Sequence, residues 1–517
     1  MTNANAVDAE HRLHPMSWLF VLLQQLKQFI VPLLALVVFG RRDSDGVTDI
    51  QLWPLTGISV PVADSDLWPL IGIGVLVVVS LWRYATYRYG VHGDSLVVRS
   101  GVFERSLRVI PFARIHNVAL QQSLLHRLFG VAEVRLESAG GSKPEAEMRV
   151  LKLSDAIALE ALVRRRGVAP AETTDGTAIE PEDASRPLLV LPVGEVLRVG
   201  LVSNRGLILV GAAFAAVFQF NRRLIPNLFE QWGQALFGWA GQQHLGLGGY
   251  ALAGVSLLAL LVLALRLLSM VLALAQYHGF VLSEHGRRLT VERGLLARWR
   301  TSASRRRIQA WTLREGLMHR VLGRRSLEVD TAVAEDENQQ RALREVAPIA
   351  TPEACAALIE HLLPRGDWSR LPWRSLPRHS WWRLFLPVIP FVLLAAVASS
   401  WHFGPWGALV LLWLPWAAVK ARQQAARAAY ALGDELVAVR EGWWSRHWRF
   451  AELDKLQALQ LTRSPIDRRC GTATLWLDTA GAGAMAPPLR IRFLPEAEAR
   501  ALYDSLSRTL ARRPLRW

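Results

Sequence analysis

At 517 residues the chain is too long for one hydrophobic core and should divide into several units. Hydrophobic residues reach 51%, mean hydropathy is +0.19 and there are 21 tryptophans, a composition that points to a membrane protein carrying soluble mass. Two cysteines, Cys355 and Cys470, exclude a disulfide framework or a cysteine zinc site, and the net charge of +16 leaves nucleic acid, anionic lipid or a cytoplasmic membrane face as its meaning.

Met1 to Glu10 is polar, without a basic n-region or cleavage site, so no removable signal peptide is expected. Six apolar segments follow in three pairs: Trp18–Phe39 with Leu67–Trp82, Leu197–Phe220 with Tyr250–Gln276, and Leu384–Trp401 with Trp406–Val419. A spanning helix needs roughly 20 apolar residues. Leu67–Trp82 and Trp406–Val419 are short by that measure. Gln24, Gln25, Lys27 and Gln28 interrupt the first segment, for which an interfacial helix competes with a spanning one. Basic residues are nearly absent from the loops inside the pairs, which hold Arg41, Arg42, Arg222 and Arg223. The positive-inside bias therefore puts those loops outside, with both termini and the remaining soluble mass in the cytoplasm.

After each pair the chain writes the same sentence. Gly101, Gly294 and Gly442 open a gapless register, offset by 193 and 341 positions, that runs to Ala139, Ala332 and Ala480. The three repeats share Arg105/Arg298/Arg446, Leu120/Leu313/Leu461, Arg127/Arg320/Arg468 and Gly130/Gly323/Gly471, which means one structural unit used three times. In the first, Ser95–Arg99, Val102–Pro111 and Ala113–Leu120 read as strands, and Ser123–Phe129 as a helical turn stopped by Gly130. Val131–Ser138 and Glu147–Leu153 form a further hairpin. A closing helix, Ser154–Arg165, has Ser154 as N-cap and Ile157, Leu159, Leu162 and Val163 on its apolar side. Gly167–Pro187 reads as a flexible tether.

These residues carry a resemblance. Two membrane helices, a tyrosine at the start (Tyr87, Tyr277, Tyr430), a Gly-apolar-apolar turn and an Arg-x-x-Gly knuckle, together with the opening Arg12-Leu13-His14-Pro15, resemble bacterial pleckstrin-homology-like membrane proteins of the YdbS/YdbT-like type. The resemblance implies a bent antiparallel sheet closed by a C-terminal helix in each repeat, and no established catalysis. The expected class is an α+β membrane protein with three transmembrane hairpins, each followed by a PH-like domain. The divisions are 1–86 (N-terminal segment and hairpin 1), 87–166 (PH-like domain 1), 167–187 (linker), 188–276 (hairpin 2), 277–364 (PH-like domain 2), 365–429 (junction and hairpin 3) and 430–517 (PH-like domain 3). The third repeat departs from the other two: Asp467 stands where His126 and His319 do, with loss of their shared contact as one reading.

No nucleophile elbow, Walker loop or metalloprotease motif occurs, so an enzyme is not expected, nor a metal or cofactor. Arg298, Arg300, Arg305, Arg306, Arg307, Arg324, Arg325, Arg446 and Arg449 cluster as candidate contacts to anionic lipid headgroups, against the plainer reading that cytoplasmic juxtamembrane sequence is basic for topology alone. Lys27 and Arg266 are intramembrane charges, Arg266 being read as snorkelling to the headgroups. The expected function is a membrane-anchored scaffold or regulator of the bacterial cytoplasmic membrane, multi-pass, binding lipid, a protein partner or itself, and not nucleic acid. The scaffold reading extends to a role in envelope stress or toxin resistance. The alternative is a transporter or channel component built from the six segments.

Overall fold

The computed structural model describes residues 11–23, 25, 50–51, 59–60, 67–101, 106–138, 146–166, 186–220, 227, 230–231, 234, 247–331, 343–480 and 486–512. The chain forms two compact units, Met1–Ala178 and Ile179–Trp517.

In the first unit, helix Leu67–Thr86 leads straight into the repeat. Strands His11–Arg12, Arg88–His92, Ser95–Ser100 and Ser106–Pro111 lie in that order in one antiparallel sheet. Ile115–Gln122, Val131–Ser138 and Ala146–Lys152 pair in sequence beyond the corner at Phe112–Arg114. Alternation turns Leu96, Val98, Ile110, Val118, Leu120, Val134 and Leu136 inward, and helix Leu153–Arg166 closes the core with Ala156, Leu159 and Val163. Two expectations are corrected here. The helix begins at Leu153, so Ser154 lies inside its first turn and donates to Asp155 Oδ1 at 3.1 Å instead of capping it. Ile157 is 44% exposed, because the buried stripe runs through 156, 159 and 163.

The second unit holds the other two repeats, with the same elements at the same offsets. Their first two strands are Val281–His285 and Arg288–Arg293, and Ala429–Leu432 and Leu436–Glu441. Their third strands are Arg298–Ser304 and Arg446–Glu452, and their fourth Ile308–Glu315 and Leu456–Thr462. The fifth are Arg325–Thr331 and Thr472–Thr479, the sixth Glu345–Ala350 and Arg490–Pro495, with closing helices Pro352–Leu362 and Glu496–Arg512. Arg186 and Pro187, expected in the linker, begin a strand, Arg186–Val190, that pairs with Val281–His285. The remainder of that tether, 167–185, falls outside the described residues.

Three hairpins were expected, and this is corrected. Among the described residues two helical stretches are long and apolar enough to cross a membrane, Gly248–Tyr277 and Arg378–Arg427. The bent pair Val193–Val202 and Arg205–Phe218, broken at 52°, makes a third only if it counts as one span. Ser203, Asn204 and Arg205 interrupt the apolar segment expected as one helix, and the helix breaks there. The second stretch reverses at Gly404 (φ 62°), and Trp381–Phe385 packs on Trp413–Arg427. In the first pair, most of Trp18–Phe39 lies outside the described residues, while Gln25 Oε1 accepts from Ser80 Oγ at 2.9 Å. Gly200 and Gly206 let the bent helices approach the long one: an added Cβ would stand 2.3 Å from Met270 Cα and 2.5 Å from Leu265 O respectively.

Glycine marks two turns of every repeat. Gly101, Gly294 and Gly442 have φ of 124°, 114° and 97°, and Gly130, Gly323 and Gly471 have φ of 62°, 61° and 63°. The two sets differ in room. A Cβ on Gly442 would meet Ser445 O at 2.0 Å, whereas one on Gly471 meets nothing within 4 Å. Gly442→Ala is therefore expected to cost about 2 kcal/mol or more, and Gly471→Asn, tolerated in the left-handed region, under about 1 kcal/mol. Thermal unfolding of the detergent-solubilised chain checks the ranking; equal losses would contradict it.

Candidate functional site

Repeats two and three are joined as one sheet. The fourth strand of repeat two, Ile308–Glu315, pairs antiparallel with the third strand of repeat three, Arg446–Glu452, in the register Trp311↔Phe450, Thr312↔Arg449, Leu313↔Trp448, Arg314↔His447 and Glu315↔Arg446. The result is a seven-stranded sheet with strands from both repeats. On one face Trp311 and Phe450 stack with ring centroids 6.3 Å apart, and Leu313 and Trp448 join the same core. On the other face Arg449, 1% exposed, donates from Nη1 to Thr312 Oγ1 at 2.8 Å and pairs with Asp330 Oδ2 at 2.5 Å.

Around this centre the contacts are polar and continue the joint. Glu315 receives Arg325 at 3.4 Å and Arg446 at 3.5 Å, and the Arg325 guanidinium lies 4.9 Å from the Trp448 ring centre. Arg320, the knuckle arginine of repeat two, donates to the carbonyls of Trp443 and Trp444 at 2.7 and 2.8 Å. It thus grips the glycine turn of the next repeat. Lys455 Nζ reaches Arg306 O at 2.9 Å. Burial pushes the His447 imidazole down to about 4, helped by the positive charges of Arg314, Arg492, Arg449 and Arg490. Glu441, at 4.0 Å, is its acidic neighbour.

A second feature lies where the broken helix meets repeat two. A cavity of about 530 Å³ is lined by Arg205, Arg266, Tyr277, Arg314, Glu328 and Glu345 among others. Arg266 Nη1 donates to Leu201 O at 3.0 Å, Ser203 O at 3.1 Å and Asn204 Oδ1 at 3.3 Å. It satisfies carbonyls left open by the helix break, and the geometry replaces the snorkelling reading with a capping one. Tyr277 bonds Glu345 and Arg205, and the guanidiniums of Arg205 and Arg293 lie 4.7 and 5.2 Å from its ring centre. The equivalent Tyr430 bonds Glu498, and burial followed by that carboxylate pushes its hydroxyl up to about 12. The tyrosine that opens each of these repeats is thus tied to the repeat's end.

The candidate lipid arginines are mostly engaged within the protein. Arg300 pairs with Glu292 at 3.0 Å, Arg305 with Glu284 at 2.9 Å and Arg324 with Glu195 at 2.8 Å. Arg307 is half-buried, and its guanidinium is pushed down to about 10 by burial and by Arg288. Arg325, Arg446 and Arg449 belong to the joint. Arg298 and Arg306 are exposed. Lys27 lies outside the described residues. Among the described residues no cluster of His, Cys, Asp or Glu could hold a metal. The equivalents His126, His319 and Asp467 all serve helix starts: His126 Nδ1 is 2.6 Å from Ser123 Oγ, Gly316 N donates to His319 Nδ1 at 3.4 Å, and Asp467 Oδ2 accepts from Ser464 N at 2.9 Å. Asp467 keeps the shared contact and adds an ion pair with Arg383. Sequence reasoning missed Asp330 as the partner of Arg449, although both occupy repeat positions that the register had already aligned.

A membrane protein built of tandem PH-like domains is what this architecture defines, and the chain belongs to the bacterial PH domain family, whose model matches residues 24–167, 238–363 and 384–510. Each match takes in helix as well as sheet. Over 354 residues, 66% of this chain and 69% of the relative, it is 23% identical to the UPF0699 transmembrane protein YdbT of Bacillus subtilis, and it is YdbT-like. No solved structure matches it.

The buried pair gives a graded prediction. Removing one partner by Arg449→Ala should cost about 3–5 kcal/mol, while Arg449→Met with Asp330→Leu together should cost clearly less than the single change, since no charge is then stranded. Denaturant unfolding of the solubilised chain compares them. His447 supplies a pH test. Its folded value lies below the unfolded one near 6.5, so the unfolded chain binds the extra proton and stability falls as pH drops from about 6.5 to about 4. His447→Gln should flatten that limb of a plot of Tm against pH; an unchanged limb would assign it elsewhere.

Proposed function

We propose that this protein is a non-enzymatic scaffold or regulator anchored in the bacterial cytoplasmic membrane, holding its PH domains as a stiff platform on the cytoplasmic face. The observation that supports this reading most is the joint. Two PH domains share one sheet with a desolvated ion pair at its centre, so the edge strands serve docking between domains. Such a platform suits a partner that reads several domains at once. Attraction to anionic headgroups falls to the exposed Arg298, worth about 1 kcal/mol near such a surface.

The transporter alternative has less behind it. The two described spans are apolar, and Arg266, the charge that suggested a path, is held by backbone carbonyls and Asn204.

Hydrogen exchange of the full chain in nanodiscs tests the platform. Strands 308–315 and 446–452 should exchange slowly and together, and Arg449→Ala should accelerate both. Independent exchange of the two strands in the unmodified chain would sink the platform reading. In the same discs Arg298→Ala should reduce the preference for anionic over neutral lipid severalfold. Solute flux through proteoliposomes would favour the transporter instead.

A further inference from the structure

The joint has unlike halves: the fourth strand of the earlier repeat and the third strand of the later one. One half of each kind stands at a sheet end. Among the described residues Ser106–Pro111, the third strand of repeat one, is terminal in its four-stranded order, and Leu456–Thr462, the fourth strand of repeat three, is terminal in its three-stranded order. A terminal strand offers a row of backbone donors and acceptors to another chain.

The side chains on these two edges match each other in the manner of the observed joint. Carried over through the gapless repeat register, Trp311↔Phe450 becomes Leu459 opposite Val109, and Leu313↔Trp448 becomes Leu461 opposite Leu107. Apolar again meets apolar on one face. Leu107 and Val109 are 57% and 53% exposed, and Leu459 and Leu461 are half-buried. On the other face Thr312↔Arg449 becomes Gln460 opposite Arg108, with Asp478 at the position of Asp330. The placement of that carboxylate is the same in both repeats, because Ala310 faces Asp330 and Ala458 faces Asp478 across the fourth and fifth strands. Arg108 and Asp478 are both exposed. One edge therefore presents two apolar side chains on one face and a guanidinium on the other, and the second edge presents two apolar side chains on one face and, from the next strand, a carboxylate on the other.

We propose that these edges are the halves of an intermolecular joint. Ser106–Pro111 of one molecule adds antiparallel to Leu456–Thr462 of a second, in the register of the internal joint, with Arg108 paired to Asp478 of the neighbour. The occupant of each edge is a second copy of this chain. The contact is heterologous, so it closes into a ring or continues as a row, and anchoring keeps every copy in one membrane plane at a raised effective concentration. The inference deepens the scaffold reading and rests on it: the platform of one molecule is extended by the next.

Cysteine cross-linking in native membranes tests the pairing, using the full chain with the exposed Cys470→Ser to remove background. One tagged copy carries Leu107→Cys, and a differently tagged copy carries Leu461→Cys. Oxidation should join them, while Leu107→Cys with Gln457→Cys, out of register, should give at least tenfold less product. Arg108→Asp in the first copy or Asp478→Arg in the second should each cut the product at least tenfold, and both together should restore it. Mass measurement of cysteine-unmodified protein in nanodiscs should follow the same order, so a cysteine variant that folds poorly does not decide the matter. Absent or register-blind cross-linking, a single-chain mass, or failure of the charge swap to rescue would overturn the inference. Strand exchange within one chain reports separately: slow, coupled exchange of 308–315 and 446–452 without any cross-link leaves the platform standing and removes the assembly, whereas uncoupled exchange removes the platform itself.

Discussion

Thr312, Asp330 and Arg449 meet at the centre of the second unit, and much of its order depends on what they do together. A guanidinium that is 1% exposed has lost its hydration and must recover it from the protein, here from one carboxylate and one hydroxyl. Such a group tolerates no slip. A shift of one residue between Ile308–Glu315 and Arg446–Glu452 would put Arg449 on the apolar face and Trp448 or Phe450 on the polar one. The ion pair therefore contributes register more than stability, while the stacking of Trp311 on Phe450 contributes the burial. Trp368 completes that packing from the junction before the last membrane stretch, 4.5 Å from Phe450, so the junction is seated by the same core.

The same economy holds where the bent helix pair meets repeat two. The bent helix pair exposes carbonyls at Leu201 and Ser203, and one long side chain from the facing helix, Arg266, covers both. Arg205 at the start of the next segment reaches Tyr277, at the end of the long helix, and Glu345, in the sixth strand. Helix, hinge and sheet are thus tied by Arg266 on backbone carbonyls and by Arg205, Tyr277 and Glu345 on one another.

Much of this was legible in the sequence, and the reasons are local. Strand positions followed from alternation over short runs such as Ser95–Ser100 and Val131–Ser138, and the turns followed from glycines that hold positive φ in all three repeats. The roles of the arginines were not legible. Arg324 meets Glu195 across 129 positions, Arg446 meets Glu315 across 131 and Arg205 meets Glu345 across 140, so no window of sequence shows that these charges are already balanced. The helix break was hidden for a similar reason, since Ser203 and Asn204 are unremarkable until Arg266 is seen beside them. The closing helix was placed within a residue, but its buried stripe was misjudged at Ile157 because neighbouring apolar residues at 157, 159, 162 and 163 admit more than one face.

The glycine turn held by Arg320 has a consequence for how such chains arise. Arg320 reaches the carbonyls of Trp443 and Trp444, not their side chains, so it would grip any sequence that keeps the backbone of that turn. Arg127 and Arg468 stand at the same place in the other repeats, and Gly101 and Gly294 bend the chain as Gly442 does. A gene segment duplicated whole would carry both hook and eye with it, ready to engage before any surface residue had time to adapt. Growth by tandem copying then needs no invention of new interfaces, and side chains along the turn stay free to diverge.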